Sequence, residues 1–422
     1  MNKVKLGEIL EITSSKRIHA EDYVETGIPF YRSKEVIQLG KGEKISEVLH
    51  ISNEQYSKIK SKFPVPVIGD ILLTSVGTIG IPYYVTDANF YFKDGNLTWF
   101  RKFDDSINSK YLLFWMKSKF FKNQINNNNI GAVQKALTID FLKKFEIKVP
   151  PLDTQKKVVH VLSALDSKIE LNNLINAELE AMAKTLYDYW FVQFDFPDKN
   201  GKPYKTSGGK MVWNEELKRE IPEGWEVKLL GSEIEIQRGI SYTSKEINGD
   251  GIPMISLNSF NLDGTYKPEG IKKYSGKYTD KNITLPGDLL IAATDVTRNA
   301  DIIGRAILVP DYYSEDLVFS MDIAKIISKN IPSSFLMMLF NSNHYHNYIK
   351  WYASGTIVLH LNLDGTKRYN IEMPPKELLQ KYDALYQPIA QRIYKTAIEN
   401  QKLTELRDWL LPMLMNGQVK VT

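Results

Sequence analysis

No cysteine occurs among the 422 residues. Its absence excludes a disulfide framework, thiolate zinc sites and a cysteine nucleophile, and it fits a reducing compartment. Long apolar runs are missing too. No window approaches the roughly 18 uninterrupted apolar residues of a membrane-spanning helix, and the opening MNKVKLGEIL lacks the apolar core of an export signal. A cytoplasmic protein with no membrane role is expected. Histidine is scarce and scattered, at His19, His50, His160, His344, His346 and His360. The pair in His344-Tyr345-His346 sits at a spacing that turns its two rings apart on a helix, so a surface or interface helix is expected there and a metal site is not. Excess charge is modest: +4 permits nucleic-acid binding without requiring it.

Catalytic signatures are also absent. SGGKMV (207–212) lacks the spacing and the following hydroxyl residue of a phosphate-cradling loop. The proline pairs Pro150-Pro151 and Pro374-Pro375 follow Val149 and Met373, whereas an amino-methyltransferase is expected to carry Asn or Asp there. Pro310-Asp311 with Glu315 and Asp316 loosely matches a nuclease carboxylate cluster but has no suitably placed lysine. Neither catalysis nor a bound cofactor is expected of this chain.

What is present is a duplication. Leu6-Gly7 recurs as Leu230-Gly231, Gly27-Ile28-Pro29 as Gly251-Ile252-Pro253, and Pro150-Pro151 as Pro374-Pro375, each 224 positions later. Gly69-Asp70 returns as Gly287-Asp288 after only 218, and Gly80 returns as Gly304 after 224, so the second copy holds six extra residues in TDVTRNADII. A length change of this kind belongs in a loop. SKYLLFWMKSKFFKNQI from Ser109 aligns with SSFLMMLFNSNHYHNYI from Ser333, and both segments read as amphipathic helices.

Each copy has two parts. Residues 1–150 and 222–374 mix β-branched and aromatic runs with Gly and Pro punctuation, which predicts two compact, similar α+β domains. Residues 151–194 and 375–415 are long helical patterns, joined through a Gly-, Pro- and Lys-rich connector at 195–221. About 40 helical residues reach roughly 60 Å. Alternating steps of four and three mark a seam at Val158, Leu162, Leu165, Ile169, Asn172, Asn176, Leu179, Ala183, Leu186 and Trp190. The same phase in the second copy gives Tyr382, Tyr386, Ile389, Ile393, Thr396, Asn400, Leu403, Arg407, Leu410 and Leu414. Two such stripes in one chain can bury each other as an antiparallel coiled coil, with Asn176 and Asn400 as polar seam residues that fix register. Pro388 predicts a kink or restart near Gln387, and Pro412 an end near Leu411.

The order of domain, VPPL turn, long helix, FPDKNGKPYKTSGGKMVW connector, IPEGWEVKLLG restart, second domain, MPPK turn and second helix spans essentially the whole chain. It resembles the specificity subunit of type I restriction-modification systems. That resemblance implies two target-recognition domains, each reading half of a split site in double-stranded DNA, with the helices as a ruler. It also implies two adenine methyltransferase subunits and two restriction or motor subunits as partners, with S-adenosylmethionine, ATP and magnesium acting only in those partners. A different class of protein, a duplicated protein-interaction scaffold without DNA binding, has the same gross organisation.

Sequence reading requires polar side chains at base edges and separate cations at phosphates. Loops that differ between matched copies are where to look. In the first domain these present Lys16, Arg17, His19, Tyr31, Arg32, Ser33, Lys34, Thr74, Ser75, Thr78, Gln134 and Lys135. In the second they present Arg238, Ser241, Tyr242, Ser256, Asn258, Ser259, Thr294, Asp295, Thr297, Arg298, Asn299 and His360. Arg17, Arg32 and Arg298 lead, because a guanidinium can bond guanine bidentately.

Overall fold

The duplication is visible strand by strand in a computed structural model, which describes residues 3–42, 45, 47–127, 136–247, 249–311, 313 and 316–421. The chain divides into two compact units, Met1–Leu171 with Lys402–Thr422, and Asn172–Gln401. Each therefore combines one α+β domain with part of both long helices.

In the first unit, Lys3–Lys5 pairs antiparallel with Glu146–Lys148, tying the start of the domain to its end. One sheet runs in the order Glu11–Thr13, Leu97–Arg101, Ile71–Thr74, Pro82–Tyr84. A second sheet contains the parallel pair Ile28–Tyr31 and Tyr91–Phe92. The other unit repeats this plan. Glu226–Leu229 pairs with Asn370–Met373, the four-strand order is Ile234–Arg238, Ile323–Ser328, Leu289–Ala292, Ala306–Leu308, and Ile252–Ile255 runs parallel to Leu317–Phe319.

The recurring glycines are sites of close approach. A Cβ on Gly7 would lie 2.9 Å from Lys143 Cβ, and one on Gly231 would lie 2.8 Å from Lys367 Cβ, the matching lysine. Gly80 and Gly304 have φ of +83° and +70°, and face Ile125 and Ile349, again a matched pair. The helical segments expected after Ser109 and Ser333 are each two helices, Ser109–Lys117 with Lys119–Asn127, and Ser333–Asn341 with Asn343–Ile349. Each breaks at the corresponding serine, Ser118 or Ser342; the Ser342 hydroxyl accepts from Tyr345 N and caps the second helix.

The long helices are Leu152–Tyr187, continued by a π turn over Asp188–Val192, and Lys376–Asn416. Every seam position predicted on both is buried or half-buried. They form an antiparallel coiled coil. In the first unit Val158 and Leu162 pack into one core with Leu411, Leu414 and Met415, and Arg407 Nη1 donates to Asp166 Oδ1 at 2.9 Å. In the second, Asn172 Nδ2 donates to Asn400 Oδ1 at 2.8 Å, Asn176 Nδ2 to the Ile393 carbonyl at 3.4 Å, and Trp190 packs on Tyr382. Partner numbers fall along one helix as they rise along the other, as antiparallel packing requires. Asn176 and Asn400 do not meet: the asparagine pair that locks register is Asn172 with Asn400. The Asp166–Arg407 pair has Ala390 and Ala183 as its repeat counterparts, both buried, so the seam is polar in one unit where it is apolar in the other.

The second helix neither restarts at Pro388 nor ends at Pro412. The helix continues through Pro388 because the residue whose carbonyl loses its partner, Ala384, is exposed and reaches water, while Tyr382, Tyr386 and Ala390 hold both flanks in the core. It also continues past Pro412, and Gly417 ends it. With φ at +72°, Gly417 N donates to the Leu414 carbonyl and Gln418 N to that of Met413, the paired bonds of a glycine C-cap.

Candidate nucleic-acid interface

Four stretches of each domain, distant in sequence, are laced side by side. In the second unit Ile240 N donates to the Phe319 carbonyl at 2.8 Å and Met321 N to that of Ile240 at 2.7 Å. Ala293 N donates to the Asp322 carbonyl at 2.8 Å and Leu361 N to that of Ala293 at 2.9 Å. Thr294–Asp295 then pairs with Leu359–Leu361, which pairs with Ala353–Ser354. Residues 238–242, 320–322, 293–299 and 353–361 are thereby assembled along one edge.

The first unit builds the same edge. Ser14 Oγ donates to the Leu97 carbonyl at 3.3 Å, Ser75 N to that of Asn96 at 2.9 Å, and Leu137 N to that of Ser75 at 2.9 Å. The Val76–Ala136 bridge occupies the place of Thr294–His360 in the second unit. A side-chain tie recurs across the laced strands, from Thr98 to Ser75 in the first and from Asp322 to Thr294 in the second. Thr98 and Asp322 escaped sequence reasoning, although they are matched residues of unlike chemistry, the signal applied elsewhere.

On this edge the exposed candidates are Lys16, Arg17, His19 and Thr78 in the first unit, and Arg238, Ser241, Arg298, Asn299 and His360 in the second. Lys34 and Asn258 are exposed on neighbouring loops. Tyr31, Arg32, Ser33, Tyr242 and Thr297 are half-buried. Thr74, Ser75, Ser256, Ser259 and Thr294 are buried, which corrects their assignment as base contacts. Thr74 Oγ1 accepts from Ile81 N, Ser75 ties to Thr98, Thr294 to Asp322, and Ser256 with Ser259 closes a turn. They shape the loops. Gln134, Lys135 and Glu315 lie outside the described residues.

Two of the three leading arginines are engaged. Arg17 Nε donates to Asp94 at 2.9 Å. Arg32 grips the buried Glu35 through Nη2 at 2.7 Å, Nε at 3.3 Å and its backbone N at 2.7 Å. Burial pushes the Glu35 carboxyl up, but the hydrogen bonds from Arg32 prevail and hold it below the usual range. Arg32 is thus engaged in closing its helix, its half-buried guanidinium shared with Glu35. Arg298 and Arg238 are exposed and form no ion pair among the described residues.

The loop that carries Arg298 is rigidly supported. Asp295, fully buried and not at a base edge as expected, accepts from Thr297 N and Ile302 N at 2.6 Å and from Ile303 N at 3.0 Å. From the other side His346 Nε2 donates to the Ala300 carbonyl at 3.0 Å. Burial, then Arg305 and Lys350, lower the His346 pKa to about 4, so its ring is neutral and this nitrogen carries the proton. His346 is therefore a buried prop on the inner face of a surface helix, whose Asn343, His344 and Asn347 are exposed.

A family model described as the type I restriction modification DNA specificity domain matches residues 1–181 and 222–408. The chain is similar to the type I restriction enzyme MjaIX specificity subunit of Methanocaldococcus jannaschii, 28% identical over 378 residues, covering 84% of this chain and 78% of that one. It is also similar to the HindI specificity subunit of Haemophilus influenzae, 25% identical over 337 residues, covering 67% of this chain and 71% of that one. Among solved structures, the S subunit of a type I restriction-modification system from M. genitalium shares the fold, with a TM-score of 0.60 and 15% identity over 98% of this chain and 95% of that one. No helix among the described residues is long and apolar enough to cross a membrane.

Proposed function

Since this chain belongs to the type I restriction-modification DNA specificity family, we propose that it reads a bipartite DNA site, one half with each repeat, and positions methyltransferase and motor or nuclease partners that supply the chemistry. The observation that carries this reading is the laced edge. Two domains of one plan hold four loops in the same register, yet place unlike side chains on them: Ser14 and Arg17 in one against Arg238 and Ser241 in the other, with the exposed Lys16 matched by the buried Ile240. A shared scaffold with divergent edges suits two different half-sites. The length of the paired helices sets the number of base pairs between the halves.

The helices also suit partner docking. Leu174 and Met182 in the second unit, and Leu171, Leu406 and Trp409 in the first, point away from the seam and are exposed. Apolar groups left in water at helical spacing mark a contact surface, here for the methyltransferase subunits. S-adenosylmethionine, ATP and magnesium act in the partners, because this chain carries none of the motifs that hold them. The protein works in the cytoplasm, where its DNA target and partners are.

Salt titration tests the reading. Binding to a duplex with the cognate site is expected to weaken about a thousandfold or more between ~50 and ~200 mM salt, as for a protein that neutralises about six or more phosphates. An unrelated duplex is expected to bind far more weakly. Association that ignores both salt and sequence would instead favour the interaction scaffold.

A further inference from the structure

On the second repeat's edge, three aliphatic side chains stand in water among polar ones. Asp295 lies opposite Leu359, so the chain leaving that strand at Val296 and the turn at 355–358 emerge from the same end of the three-stranded sheet. There Val296 is 65% exposed, Ile357 86% and Val358 36%. Both loops are held in place. Asp295 binds three backbone amides of one, and Gly355 closes the other at φ +136°, where a Cβ would meet the Val358 carbonyl oxygen at 2.1 Å.

The exposure is thus built in, and a fixed apolar tip is unfavourable until something covers it. Arg298 and Asn299 flank it on one loop and His360 on the adjoining strand, all exposed, with Arg298 unpaired among the described residues. What covers the tip must offer hydrogen-bond acceptors to these groups and a small apolar contact between them. The major groove of DNA meets both requirements, since its one apolar feature is the thymine 5-methyl group and guanine beside it offers two acceptors. The minor groove has no such methyl.

Resting on the proposed reading of this chain, we propose that Val296 and Ile357 recognise a thymine by its 5-methyl group in the half-site read by the second repeat, with Arg298 bonding a neighbouring base. The edge of the sheet then discriminates by an apolar contact as well as by hydrogen bonds.

Deoxyuridine, which differs from thymidine only in lacking the methyl, isolates the contact. Methylation mapping of a genome carrying this gene and its partners identifies the site. Duplexes with each thymine of that half replaced in turn are then bound to the full complex with its methyltransferase subunits. One replacement is expected to weaken binding about fourfold, the value of one buried methyl. The V296A/I357A chain is expected to bind thymidine and deoxyuridine duplexes equally at that position while still discriminating the first half of the site. Indifference of the unaltered complex to every replacement overturns the proposal, as does discrimination that survives in the double variant. Affinity lost in the variant without any deoxyuridine effect also overturns it, and points to a wedge between bases. Failure of the complex to prefer the mapped duplex over an unrelated one sinks the DNA reading itself, and this claim with it.

Discussion

Asp295→Ala is expected to abolish reading of one half of the site while the other half is read as before. The carboxylate is fully buried and accepts from three backbone amides, those of Thr297, Ile302 and Ile303. Alanine leaves all three donors without a partner, and each buried donor so orphaned costs about 1–3 kcal/mol. A loss of roughly 3–9 kcal/mol is a large share of the 5–15 kcal/mol that stabilises an ordinary domain. The loop that presents Arg298 and Asn299 would no longer have a fixed path. In the first repeat the matching place is held by Gly77, with φ at +76°, which turns a loop six residues shorter without a side-chain anchor. The first domain has no stake in Asp295, so its half of the pattern survives. Thermal unfolding and methylation mapping of the variant check both parts; unchanged reading of both halves would show that the long loop plays no part in recognition.

The second large effect is expected at Tyr382, from two substitutions with opposite outcomes. Its ring is fully buried and packs against Tyr187, Trp190, Phe191, Phe335 and Tyr386, joining the paired helices to the second domain. Tyr382→Ala removes an aromatic from a closed core and should cost about 3–5 kcal/mol, the usual range for a large ring truncated there. The hydroxyl, by contrast, is buried with no hydrogen-bond partner among the described residues. An unsatisfied buried hydroxyl is a liability, so Tyr382→Phe is expected to match or exceed the parent in stability. Denaturant unfolding of the three proteins measures this. A Phe variant as damaged as the Ala variant would mean that the hydroxyl, not the ring, holds the junction.

Features governed by periodicity were legible in the sequence. The coiled-coil seam could be read because a 3.5-residue repeat, uninterrupted by glycine or proline in the first helix and kept in phase across Pro388 and Pro412 in the second, has only one way to bury its stripe, and all twenty positions are buried or half-buried. The glycines at 7 and 231 marked places where two matched elements touch. The prolines misled, because the cost of one missing hydrogen bond is local and an exposed carbonyl satisfies itself with water, while the packing on either side of Pro388 is not local at all. Tertiary partners decided the site in the same way. Ser75, Thr294 and Asp295 look like loop readers in one dimension, and only the laced strands reveal that they face inward. The Arg32–Glu35 pair was within reach, since an i,i+3 spacing at a helix start is a known closure. His346 was not, because nothing in its neighbourhood announces Ala300 as its partner.

A chimera addresses the central claim of two independent reading domains. Residues 1–150 are replaced by the corresponding segment of a relative with a different target, and the methylated positions are mapped with the partners present. Only one half of the recognised sequence is expected to change, with the other half and the gap between them retained. A pattern altered in both halves, or in neither, would contradict it.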